Sequence, residues 1–313
     1  MASRDIIGPG GIALKVGGRL LRTAQLADEY YVAAQDPAAL IAELKKRRAA
    51  DMFTFVQELH DRTEHFDHHL CWDEMAVLPL TTYANWFDKQ IKFKPRNRLR
   101  KAWKSGVETR TLEFTDDLVR SIMEIYNETP LRQGKRNWHY GKDFETVKRE
   151  HATFLERSEF IGAYYQDELI GFAKVTHDRQ ASIIMNIVAK VSQRDRSPMN
   201  ALIAKSVECV AARNIPLLNY GVWGRRGLNE FKVAQAFECM TVPRYYVPLT
   251  WRGEMALRMG LHRGLKERMP EAWIVKLADT RARFNEWLYA KGSGMPLPGA
   301  VEAKAGAGAD SDA

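Results

Sequence analysis

The stretch from residue 158 to residue 191 limits the fold more than any other part of the chain. Phe160 to Tyr165 reads as a strand, Gln166-Asp167 as a turn, and Glu168 to Val175 as the returning strand. Ala181 to Val191 is a third, long strand, and its run SIIMNIVA is almost continuously apolar. Such a run belongs to a central strand covered on both faces. Three strands in a row predict a mostly antiparallel sheet flanked by helices.

The flanking elements follow from helical spacing. VETRTLEF alternates as a strand, and Thr115, as N-cap, opens a helix with Leu118, Ile122 and Ile125 facing inward. The loop TPLRQGKRNWHYG separates it from a second helix, KDFETVKREHATFLER. Ser197-Pro198 begins a third, with Met199, Leu202, Ile203, Val207 and Val210 at amphipathic spacing. Pro216 to Val222 is a short strand, Gly227 to Phe237 a helix, and Met240 to Leu249 a final strand region.

The first 95 residues carry α/β signals of their own. Ile12 to Val16, Gly17-Gly18 and Arg19 to Thr23 read as strand, two-residue turn and strand. Asp36-Pro37 opens a helix with Leu40, Ile41 and Leu44 on one face, and Met52 to Val56 is a short buried strand. This predicts a partial α/β half-domain over 1–95, a core over 96–250, a helical extension over 251–291 interrupted near Pro270, and a disordered Gly/Ala/Pro-rich tail over 292–313.

Composition narrows the class. With 45% hydrophobic and 27% charged residues in 313, the chain can bury a core, which excludes wholesale disorder. No apolar run approaches the roughly 20 residues of a membrane-spanning helix. The three cysteines are far apart, and no signal-peptide core is visible, so a cytoplasmic protein is expected. The net charge of +8 favours an anionic partner such as a phosphate-rich cofactor, RNA or an acidic glycan.

The element order over 107–249 resembles the GNAT fold of acyl-CoA N-acyltransferases. RNRLRKAWKSGVETR resembles the basic helix ending in Gly-Val that opens the catalytic half of FemAB-like transferases. YGVWGRRGLNEFKVAQAFECMTV resembles their late strand–helix–strand, through Gly227, Leu228, Phe231 and Lys232. The resemblance covers roughly residues 70 to 250. It implies transfer of an activated acyl or aminoacyl group to an amine, often on a cell-wall precursor. It also implies acyl-CoA or aminoacyl-tRNA as donor substrate, with no tightly bound cofactor. Such an enzyme must position two partners, stabilise an oxyanion and hold the donor's phosphates.

Candidate residues follow. Lys232, beside a core-facing Phe231, is expected at the edge of its helix's apolar face, where it resembles the family lysine that neutralises an oxyanion or phosphate. The plainer reading is a solvated lysine. Tyr220 and Tyr245, with Tyr246, are general-acid candidates at the expected sheet opening, or packing residues. Gln193, Arg194, Arg196 and Ser197 stand where the GNAT phosphate cradle would lie, but both of its glycines are missing. That departure moves weight from acyl-CoA toward aminoacyl-tRNA.

Arg96, Arg100 and Lys101, interleaved with Phe93 and Trp103, form a basic helix suited to an anion or to nucleic acid, or a solvated face. Arg132, Arg136 and His139 lie in a loop suited to an acceptor. His60, His65, His68, His69 and Cys71 cluster, with His65 and His69 four apart on a possible helix face, yet lack a recurring ligand pair, and no metal is expected. No Asp or Glu lies on 181–191 to act as base. The alternative class is a non-catalytic anion- or nucleic-acid-binding protein that has kept the fold.

Overall fold

The computed structural model describes residues 4–132, 134–224, 227–263, 280, 281, 283–285 and 287. The predicted tail and most of the C-terminal extension lie outside them. In chain order the first elements are β1 (Arg4–Ile7), β2 (Ala13–Gly17), β3 (Thr23–Leu26), α1 (Pro37–Arg47), β4 (Met52–Val56), β5 (His69–Pro79) and a short α2 (Tyr83–Asn85). Then come α3 (Phe93–Lys104), β6 (Glu108–Leu112), α4 (Asp116–Asn127), β7 (Leu131–Arg132), β8 (Lys135–Arg136) and α5 (Phe144–His151). The last are β9 (Ser158–Tyr165), β10 (Glu168–His177), β11 (Ser182–Ala189), α6 (Pro198–Ala212), β12 (Leu217–Val222), α7 (Gly227–Ala234), β13 (Glu238–Pro248) and α8 (Trp251–Arg258).

Eleven strands form one sheet in the order β1-β2-β3-β4-β13-β5-β12-β11-β10-β9-β6, and β7-β8 is a separate hairpin. All its pairings are antiparallel except β3 with β4 and β11 with β12. The sheet passes without interruption from the first 95 residues into the rest, because β5 lies between β13 and β12. The β9–β10–β11 meander forms as its strand–turn–strand pattern predicts, with Gln166 and Asp167 both at positive φ in the turn.

One face of the central strands buries Ala76, Leu78, Ile184 and Leu218 under α6, with Leu99 and Ala102 of α3 in the same cluster. Over β9 and β10, α4 seats Leu118, Val119, Ile122 and Ile125 against Phe160 and Phe172. The sheet's other end has its own core of Leu14, Leu40, Leu44, Phe53 and Phe55. Both predicted caps form. Asp36 accepts from the Ala39 amide at 2.9 Å, and Thr115 from the Leu118 amide at 3.2 Å.

Three local expectations are corrected. The first hairpin's return strand starts only at Thr23, because Asp51 holds Arg22 outside the ladder through its backbone amide and its guanidinium. The second flanking helix ends at His151. The buried Lys174 ammonium donates to the carbonyls of His151 and Thr153 there, a cation at a helix C-terminus. Residues 183 and 185–188 of β11 are only half-buried, so that strand is not covered on both faces along its length.

Candidate active site

The parallel strands β11 and β12 are paired only at Ser182–Leu218 and Ile183–Asn219, and beyond these they part. The register between β10 and β11 also slips by one at Met185, a bulge that leaves the extra residue outside the regular ladder. The sheet therefore opens between the C-terminal ends of two neighbouring strands. On its central side, the residue after β12, Trp223, donates back to Glu74 on β5.

Lys232 reaches this opening from α7. Its ammonium donates to the Val222 carbonyl, the last residue of β12, at 2.8 Å, and lies 4.9 Å from the centre of the Tyr220 ring. Lys232 is 2% exposed, so the expected edge position is wrong: the side chain is interior. Burial pushes its pKa down to about 8. Phe231 packs on the main core as expected. Burial also raises the Tyr220 phenol above its ordinary range.

The turn after β11 forms the opposite wall. Gln193 accepts from the Arg196 guanidinium at 2.8 Å, and that guanidinium lies 3.7 Å from the Tyr165 ring centre. Arg194 is exposed, and Ser197 adopts a left-handed conformation just before Pro198 starts α6. The two walls are tied together. Gln235, three residues past Lys232, donates to Asn200, three residues past Ser197, at 2.8 Å, and both are buried.

Glu128, just after α4, has no signal in the sequence beyond its charge. Its carboxylate accepts from the Ser192 amide and hydroxyl at 2.9 and 2.6 Å and from the Val191 amide at 2.5 Å. The amides a donor phosphate would use at this turn are thus held by the chain's own anion.

The loop candidates are placed differently. Arg132 donates to the Ala189 and Ile125 carbonyls at 2.9 and 3.1 Å, which binds the loop to the end of β11. His139 stacks on Tyr126 at 4.0 Å, and burial pushes its pKa down to about 4. Arg136 is exposed. Beneath the loop, Asn186 of β11 donates to the Tyr126 hydroxyl at 2.9 Å, and that hydroxyl lies 2.9 Å from Nε2 of buried His151. Burial takes His151 down to about 4, so its ring is neutral at pH 7.

One candidate lies away from the opening. Tyr245 sits in the N-terminal core, stacked on Phe55, with its hydroxyl donating to Gln57 and accepting from the His65 amide. The register that pairs it with Phe55 and Leu70 takes it away from β11 and β12. On α3, Arg96 donates to the Asp88 and Ile91 carbonyls, Arg100 lies over the Phe87 ring, and Lys101 is exposed.

A cavity of about 370 Å³ lies on the sheet face lined by Ile183 and Asn219, between residues 29–33 and 176–181. Tyr30, Glu58, Arg157 and Arg179 line it too, and Lys232 does not. The buried Asn219 side-chain oxygen has no hydrogen-bond partner among the described residues. Among the described residues no helix is long and apolar enough to cross a membrane.

The fold is shared with solved structures. FemX matches with a TM-score of 0.55 at 10% identity, over 82% of this chain and 90% of that chain. The C-terminal domain of a protein assigned as a lysylphosphatidylglycerol synthetase from Agrobacterium fabrum matches at 0.54 and 12%, over 83% and 88%. L-PGS from Bacillus licheniformis matches at 0.50 and 13%, over 78% and 83%. No family model matches the chain, and no curated protein matches it in sequence. At these identities the likeness shows the fold, a GNAT-like, mostly antiparallel sheet flanked by helices.

Proposed function

We propose that the chain transfers an activated aminoacyl or acyl group to an amine acceptor at the opening between β11 and β12. The observation that carries this is Lys232, a buried cation held at the parting end of β12. A carbonyl under attack becomes an oxyanion, and a preorganised ammonium in a dry setting stabilises it far more than water would. The same ammonium is already oriented by the Val222 carbonyl, so little reorganisation is needed. Tyr220, whose ring centre lies 4.9 Å from the ammonium, is the proton donor proposed.

The donor we favour is an aminoacyl-tRNA rather than a CoA thioester. A CoA pyrophosphate at the 191–197 turn would have to displace the Glu128 carboxylate from the Val191 and Ser192 amides. No glycine there lets a phosphate approach the backbone. The basic residues Arg96, Arg100, Lys101, Arg194 and Arg196 suit a polyanion's backbone, which needs positive charge over a wide surface. Arg132, Arg136 and His139 form the loop proposed for the acceptor side, and the acceptor proposed is an amine such as a cell-wall precursor's. The binding-only reading shares the basic surface but does not need a buried lysine at the opening. A thermal-shift comparison separates the donors. Aminoacyl-tRNA at a hundred times its dissociation constant should add about 2.7 kcal/mol to stability. A shift with acyl-CoA alone would overturn the donor assignment.

A further inference from the structure

Further along β5 from Met75, which pairs with Val222, the chain brings together three side chains suited to a soft metal. His69 and Cys71 are two apart on β5, so they project from the same face of the strand. Beyond β12's pairing with β5, which ends at Met75, this part of β5 pairs only with β13. His262, in the segment after α8, reaches the same place. The Cys71 Sγ lies 3.7 Å from His69 Nε2 and 3.5 Å from His262 Nε2. All three ligand atoms lie within 4.8 Å of one another.

We propose that His69, Cys71 and His262 bind a zinc-type divalent ion. Zinc takes nitrogen at about 2.0 Å and thiolate sulfur at about 2.3 Å in a tetrahedron, which sets ligand atoms roughly 3.4–3.8 Å apart. The two sulfur–nitrogen separations already fall in that range. The remaining nitrogen–nitrogen gap closes with a small turn of the exposed His69 ring. One thiolate with two imidazoles matches zinc's preference, whereas calcium and magnesium take oxygen.

The surroundings hold this arrangement in place. Arg263, the next residue, donates to the Trp72 carbonyl at 3.0 Å and to Asp73 at 3.3 Å, which fixes the His262 segment against β5. The Tyr246 ring packs against His262 at 4.7 Å and His69 at 6.4 Å. On binding, Cys71 gives its thiol proton to solvent and its sulfur lone pair to the metal, and the imidazoles bind in their neutral form. The ion would join the segment after α8 to the central strand, a link between residues 69 and 262 that backbone pairing does not supply.

The test uses the full chain, stripped by chelator under reducing conditions and titrated with Co²⁺ alone. The expected result is one equivalent per chain, with a thiolate-to-cobalt charge-transfer band and visible bands of tetrahedral intensity. Cys71→Ser should remove the charge-transfer band, and Cys239→Ser should keep it. His69→Ala and His262→Ala should each weaken Co²⁺ binding by more than the roughly 10- to 100-fold that outer-shell partners are worth. His69 is exposed, so its variant folds whatever the outcome at the half-buried Cys71 and His262. Binding without a thiolate band, or with affinity unchanged in all three variants, would overturn the proposal.

Discussion

Lys232 is where burial, charge and position meet, and its two expected effects run in opposite directions with pH. In the proposed role it acts as a cation and only while protonated, so transfer should fall as pH rises through about 8. Stability should rise over the same range. The folded pKa lies below the ordinary 10.5, so between about 8 and 10.5 the unfolded chain binds more protons, and folding gains as pH increases. Lys174, also pushed down to about 8 by burial, contributes to the same rise. Urea unfolding at pH 7.5 and 10 should therefore show a smaller gain for Lys232→Met than for the parent chain. An equal gain would mean that burial does not disfavour the charge at 232. Methionine keeps the aliphatic stem but leaves the Val222 carbonyl without its donor, a cost of about 1–3 kcal/mol. Sequence alone located this lysine but misplaced it, because helical periodicity says which face a residue is on and not how deep a neighbouring strand end will bury it.

At the scale of elements, whatever depended on local pattern was legible. The meander over 158–189, the caps Asp36 and Thr115, and the start of α6 at Pro198 all follow from apolar runs, turn residues, caps and proline within a few residues. What escaped were contacts between distant segments. Nothing local shows that β5 will lie between β13 and β12, and that insertion is what moves Tyr245 into the N-terminal core. Nor does local pattern show that Glu128 will meet Ser192 across 64 residues. Glu128→Ala tests that contact. Its Val191 and Ser192 partners are exposed and water can replace the carboxylate there, so the loss should be about 1 kcal/mol in urea unfolding. The freed amides should then take up inorganic pyrophosphate, seen as a thermal shift absent from the parent chain. If the variant gains no such binding, the turn is not a phosphate cradle held shut by Glu128.

For the whole molecule, the middle of the continuous sheet is held by more than its ladders. Arg244 of β13, 6% exposed, ties its neighbours β4 and β5 to the 29–30 segment. It donates to Asp73 at 2.6 Å, to Glu29 at 2.8 and 3.0 Å, to Thr54 at 3.1 Å and to the Tyr30 hydroxyl at 3.3 Å. Burial works against its charge, but hydrogen bonds to Glu29 and the nearness of both carboxylates outweigh it and raise its pKa. Arg244→Ala would leave the largely buried Glu29 without its cation and Asp73 with Arg263 alone, and should cost about 3–5 kcal/mol, measured as a fall in the denaturation midpoint. A loss below about 1 kcal/mol would show that the 29–30 segment is held by its apolar contacts instead. The fold that this network supports is the one shared with FemX, and transfer at the β11–β12 opening is the reading that most needs a direct check. The decisive measurement is the single-turnover rate of aminoacyl-hydroxamate formation from mixed aminoacyl-tRNA, with hydroxylamine as the amine, for the parent chain and Lys232→Met. The account predicts a rate above background for the parent chain, lower by about 100- to 1,000-fold in the variant. A folded Lys232→Met protein that reacts as fast as the parent chain would contradict it.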